Sequence, residues 1–166
     1  MKILETERLV LSHLTIADAS FMLELMNEPE FIEFVADRGL RTEADAALYL
    51  AEKILPSYEK FGFGLWRVDL KQSAAPIGIC GLLKRDTLDD PDVGFSILKR
   101  FCGTGYCYEA AAAVLHYGRT TLGLKKICGI TAPNNRISIH LLEKLGLKLQ
   151  RRIHVPGYGT ESLLFS

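Results

Sequence analysis

The sequence predicts an α+β domain spanning residues 1–166, built on a mixed, mostly antiparallel sheet of about seven strands flanked by about four helices. Three observations lead there. Forty-eight per cent of the 166 residues are hydrophobic, enough for one core and marginal for two. Strand-like and helix-like segments follow one another in the order β-α-α-β-β-β-α-β-α-β-β, and the three consecutive strands are joined by short turns. No internal repeat, low-complexity tract or linker interrupts that order.

Residues 8–14, RLVLSHL, alternate as a strand does. Thr15 and Asp18 then have the spacing of a capping box, opening a helix over residues 17–27. Residues 28–40, EPEFIEFVADRGL, read as a loop. Thr42 caps a second helix over residues 42–55, which Pro56 ends or interrupts because it lacks an amide hydrogen. Strands follow at residues 64–70, 77–83 and 92–98, separated by the turn-like KQSAAP and KRDTLDDP, and so form an antiparallel meander. Residues 109–122 read as a helix, 126–132 as a strand and 137–145 as a helix that Gly146 closes. The tail supplies two more strands, at residues 148–155 and 161–166, around PGYG.

Twenty basic and twenty acidic residues cancel, so no overall field favours nucleic acid or an anionic membrane, and neither is expected as a partner. A small neutral or locally charged partner is expected instead. Cys80, Cys102, Cys107 and Cys128 are dispersed, without a CxxC pair or a nearby histidine at ligand spacing. They read as reduced thiols, with no metal and no disulfide framework. MKILETERLVL lacks the apolar run of a signal peptide, and no stretch of about 18 apolar residues occurs, so a cytoplasmic location is expected.

The segment KRFCGTGY, residues 99–106, joins a strand to a helix through two glycines. A helix N-terminus leaves backbone N–H groups unpaired at the positive end of the dipole, which suits an anion. Gly103 and Gly105 let the backbone curl around phosphate oxygens without a Cβ in the way, and Arg100 adds charge. A P-loop needs GK[ST] here but Gly105 precedes Tyr106-Cys107, and a dinucleotide fingerprint needs glycine where Tyr108 stands. Alone, the pair of glycines is better explained by an ordinary strand-to-helix turn with positive φ.

Arg100-x-x-Gly103-x-Gly105 is followed by Asn135-Arg136-Ile137-Ser138 and by Glu143-Lys144-Leu145-Gly146-Leu147. Together these resemble the GNAT superfamily of N-acetyltransferases. ETERLVLSHLTIADA and DVGFSILKRFCGTGYCYEA resemble its RimJ/RimL-type branch, the ribosomal-protein-alanine N-acetyltransferases. The resemblance implies acetyl-CoA as co-substrate and an amine as acceptor, either a protein N-terminus or a small molecule. It implies that Phe101, Cys102, Gly103, Thr104, Gly105 and Tyr106 offer amides to the pyrophosphate, while the strand around Ile97 and Leu98 pairs with the pantetheine arm. It further implies that the fourth and fifth strands, residues 92–98 and 126–132, splay apart to admit the thioester. Many members carry a tyrosine acid where this chain has Leu142, which shifts that role to Ser138.

Ser138, Leu141, Leu142 and Leu145 share the inward face of their helix. The Ser138 hydroxyl either bonds back to the previous turn or faces the leaving thiolate. Asn135 is an N-cap, a cofactor contact, or both. Asp92 matches a family glutamate that relays a proton from the amine; the alternative is a solvated strand end beside Asp89 and Asp90. Trp66 reads as a core residue, with only the resemblance placing it near an acceptor channel. The four histidines carry no catalytic assignment. Glu28, Glu30 and Glu33 either attract a cationic acceptor or are plain surface. The expected chemistry is direct transfer, with a backbone N–H near Ile97 or Leu98 holding the oxyanion. Cys102 and Cys107, at a helix N-terminus, are open to a lowered thiol pKa without being catalytic.

Overall fold

The computed structural model describes residues 1–166. In chain order its elements are β1 (Lys2–Glu5), β2 (Leu9–His13), α1 (Ala19–Met26), α2 (Pro29–Phe34), α3 (Glu43–Tyr49), α4 (Pro56–Phe61), β3 (Leu65–Leu70), β4 (Pro76–Leu83), β5 (Asp92–Ile97), α5 (Tyr106–Thr120), β6 (Cys128–Thr131), α6 (Arg136–Lys144), β7 (Leu149–Ile153) and β8 (Ser162–Phe165). One eight-stranded sheet takes the order β1-β2-β3-β4-β5-β6-β8-β7. Every pairing is antiparallel except β5 with β6, which α5 joins as a crossover.

Helices cover both faces. On one, Ala110, Ala111, Val114 and Leu115 of α5 pack with Leu142 of α6 against Val68, Leu82 and Val93. On the other, Met22, Leu25, Ala46 and Leu50 pack over Ile79 and Leu98. Trp66 is buried in the first of these cores, edge-on to Tyr117, as its default reading has it.

Three local features differ from the expectation, each for a physical reason. β1 adds an edge strand because Thr6 N–H closes a tight hairpin onto Leu9 O at 2.9 Å. Within the expected loop, Pro29 starts α2 at the position where its missing N–H costs nothing, and Phe31 buries beneath it. The long second helix does begin at the Thr42 cap, where Asp45 N–H donates to Thr42 Oγ1 at 3.1 Å. It then widens, with Leu55 N–H reaching back to Leu50 O, and restarts at Pro56.

Candidate active site

β5 and β6 pair at only two positions, Asp92 with Cys128 and Val93 with Gly129. Beyond them the strands part. Leu98 N–H donates to Ile77 O at 2.8 Å, so the even-numbered residues of β5 turn their backbone polar groups toward β4. The odd-numbered ones turn toward β6: Pro91 O accepts from Cys128 N–H at 2.8 Å. Phe95 and Ile97 therefore present backbone amides to the gap with no strand opposite them.

The gap leads into the glycine turn. Gly103 and Gly105 have φ of +90° and +85°, a conformation that strains any other residue, and nothing lies within 4 Å of where a Gly103 Cβ would be. A short turn over Lys99–Phe101 precedes them, in which Phe101 N–H donates to Leu98 O at 2.9 Å and Cys102 N–H to Lys99 O at 3.0 Å. Glu109 N–H is the first of α5 to close a helical bond, onto Gly105 O at 3.0 Å. The amides of residues 103–108 thus have no partner along the chain and converge at the N-terminus of a 15-residue helix.

The side chains that hold this turn come from the N-terminus. Arg8 donates through Nε to Glu109 Oε1 at 2.7 Å and through Nη1 to Thr104 O at 3.0 Å, and its guanidinium lies 4.4 Å from the Tyr106 ring centre. Thr6 Oγ1 and Arg8 N–H also donate to Glu109 Oε2. Burial pushes the Glu109 carboxyl up, but these donors outweigh it and hold the carboxyl below its ordinary range.

α6 closes the far side of the gap. Leu142 packs so tightly onto Gly129 of β6 that an added Cβ would lie 2.5 Å from Leu142 Cδ2. One turn earlier on the same face, Ser138 lines the opening, and its hydroxyl is not tied back to the preceding turn. Asn135 caps the helix, its Oδ1 accepting from Ser138 N–H at 3.2 Å, and lines the same opening.

The opening continues across the sheet into a cleft of about 220 Å³. Met22, Phe31, Phe34, Val35 and Tyr49 form its apolar wall. Asp92, 1% exposed, lies at its base, with Arg85 Nε donating to Oδ1 at 3.0 Å. Arg85 Nη2 donates in turn to Tyr158 Oη at 3.1 Å. Burial pushes the Asp92 carboxyl up against the opposing pull of Arg85, and Asp92 in turn helps keep buried Arg85 protonated.

Residues 8–148 match the GNAT acetyltransferase domain. The chain belongs to the GNAT acetyltransferase family. It is 27% identical over 149 residues to the uncharacterized N-acetyltransferase YoaA of Bacillus subtilis (strain 168), covering 88% of this chain and 82% of that one. The crystal structure of an acetyltransferase from Agrobacterium tumefaciens str. C58 superposes with a TM-score of 0.82 at 25% identity, over 99% of this chain and 92% of that one. RimL, a ribosomal L7/L12 α-N-protein acetyltransferase solved with coenzyme A, shares the fold with a TM-score of 0.83 at 10% identity, over 99% and 96% of the two chains. The chain spans 55% to 83% of the length of the curated relatives it matches.

As a GNAT acetyltransferase the chain is an acyltransferase whose family ligands are acetyl-CoA and an acceptor amine. Its geometry corrects several sequence expectations. Phe101 and Cys102 spend their amides inside the short turn, so the row of free amides runs over residues 103–108 rather than 101–106. Leu98 spends its amide on β4, leaving Ile97, and Phe95 beside it, to face the gap. Arg100 turns away from the loop to pair with Glu24 of α1. Burial, with Glu30 and Glu28 adding to it, pushes the Cys102 thiol up, and burial takes Cys107 to about 12, so neither is activated. Glu28 accepts from Lys99 N–H at 3.0 Å and Glu30 pairs with Lys99 Nζ at 2.9 Å. Asp92 is not a solvated strand end. Arg8, Glu109, Arg85 and Tyr158 were missed. Arg8 and Glu109 lie within the two segments that carry the family resemblance, and only the fold couples them.

Proposed function

We propose that this GNAT chain transfers the acetyl group of acetyl-CoA directly to a primary amine, with a protein or small-molecule α-amine as the acceptor. The observation that carries the reading is the run of unpaired backbone amides, from Phe95 and Ile97 on β5 to residues 103–108 at the α5 N-terminus. That run suits an extended amide-bearing arm ending in a pyrophosphate: strand-like pairing for the arm, a helix N-terminus for the charge. The positive φ of Gly103 and Gly105 fits the same group, since a Cβ-free curl brings N–H groups close to phosphate oxygens.

The thioester carbonyl then lies beside the Phe95 and Ile97 amides, either of which stabilises the oxyanion. The neutral amine attacks from the Asp92 side, the C–N bond forms and the C–S bond breaks. One proton leaves the amine through water toward Asp92, whose raised pKa makes it a better acceptor than a surface carboxylate. One proton reaches the departing thiolate from the untied Ser138 hydroxyl, which solvent reprotonates. An α-amine, with an ordinary pKa of about 7.7–8.0, is easier to deprotonate at neutral pH than a lysine side chain at about 10.4.

An acceptor screen with acetyl-CoA, read by free-thiol release and product mass spectrometry, tests the reading. Acetylated amine is the expected result. Tight acetyl-CoA binding with no product from peptides or small amines would replace the enzyme with an acyl-CoA-binding sensor.

A further inference from the structure

This inference rests on the N-acetyltransferase reading and concerns the acceptor. Charges around the acceptor cleft do not balance. Asp92 is its only carboxylate and is already paired with Arg85. Arg38, in the segment after α2, lines the same cleft and forms no ion pair; Nε of its guanidinium is buried without a hydrogen-bond partner. The neighbouring carboxylate of Asp37 is taken by Arg41 at 2.8 Å. The Arg38 guanidinium lies 5.8 Å from the centre of the Tyr158 ring, and its Nη1 lies 3.4 Å from where a Gly157 Cβ would be, so the 157–158 turn packs against it. The two Nη groups of Arg38 also make no hydrogen bond and, unlike Nε, are not enclosed by the protein, so they are free to take a ligand anion. A second cleft that shares Ile54, Leu65 and Leu83 with the first is lined by Lys53, Lys60 and Lys84, the last of which donates to Arg85 O and Leu88 O.

We propose that the acceptor is a primary amine carrying an anionic group, a carboxylate or a phosphate, in the same molecule, with that group seated on Arg38 while the amine points toward the β5 gap. A guanidinium presents a planar fork of donors that matches either anion. Phe31, Phe34 and Val35 beside it accommodate an apolar body. A polyamine would bring a second ammonium against Arg38 and is the opposite case.

The test uses matched acceptors: phenylalanine against phenylalaninamide, the C-terminally amidated dipeptide Ala-Glu against amidated Ala-Gln, and phosphoethanolamine against ethanolamine, with spermidine as the polycation. Values of kcat/KM are referred to the free-amine fraction of each. At least one anionic member should exceed its neutral partner tenfold or more, Arg38→Gln should cut that ratio at least tenfold, and Arg38→Lys should restore part of it. The wild-type ratio decides the matter even if Arg38→Gln fails to fold. A preference for the neutral partners or for spermidine, or a ratio that Arg38→Gln leaves intact, overturns the inference while leaving the acetyltransferase standing. Acetyl-CoA binding with no amine acetylated overturns both.

Discussion

The two halves of the cleft are made of different material. The half proposed to take acetyl-CoA, from Phe95 to Tyr108, offers backbone amides, and the side chains Thr6, Arg8 and Glu109 hold its loop in shape. The half proposed to take the amine is lined by side chains drawn from separated segments: Arg38, Tyr49, Arg85, Asp92 and Tyr158. A backbone-built site tolerates side-chain change wherever the amide and the φ angle survive, whereas a side-chain-built site is retuned by single substitutions. Donor-half variants should therefore act on acetyl-CoA affinity, and acceptor-half variants on the choice of amine.

Ser138 sits on the boundary, and its removal should have the largest effect. Ser138→Ala is expected to lower kcat by about 10²–10⁴-fold, the usual worth of a general acid, with acetyl-CoA affinity nearly unchanged. Full activity in the folded variant would reduce the hydroxyl to packing. Next comes Gly103→Asp, with Gly103→Asn as its uncharged match. Both replacements are strained by the positive φ and nothing crowds the site, so the pair differs chiefly in charge. The carboxylate should weaken acetyl-CoA binding about 100-fold, or about 2.8 kcal/mol, by calorimetry, and the amide far less. Equal losses would mean that the loop responds to strain and not to charge.

How much of each half the sequence disclosed follows from the same difference. A glycine pair before a helix is a local pattern, so the glycine turn, Asn135 and Ser138 stand where the chain order suggests. The two-residue shift of the amide row was not visible, because it depends on Phe101 and Cys102 closing a short turn. The acceptor half was nearly invisible: Arg38 lies in a segment that reads as a loop, and Tyr158 in a terminal turn. Only the sheet order, which sets β8 between β6 and β7, brings that turn back over the cleft. Glu28 and Glu30 illustrate the converse. Their charge fits an acceptor contact or plain surface equally, and only the fold shows that both bind Lys99.

A smaller effect separates support from lining. Glu109→Gln should cost about 1 kcal/mol, read as a Tm lower by about 2–4 °C, since it weakens the charge-assisted bonds from Arg8 and Thr6. The Glu109 carboxyl is held below its ordinary range in the fold, so its contribution is complete above the unfolded value of about 4.3 and is lost as pH falls through the folded one. The gap in Tm between wild type and variant should close on going from pH 7 to below pH 4. A gap independent of pH would assign the loss to packing. The smallest effect belongs to Cys102→Ser, which should keep turnover within about twofold, because its thiol is not activated.

The central claim is that amine and thioester meet in one cleft, with no acyl group passing through the protein. Initial velocities measured while varying acetyl-CoA at several fixed acceptor concentrations test it most directly, together with the intact mass of enzyme mixed with acetyl-CoA alone. Direct transfer requires both substrates bound before either product leaves, so the double-reciprocal lines should intersect and the mass should stay unchanged. Parallel lines, or an added acetyl group on a cysteine before any acceptor is present, would contradict it.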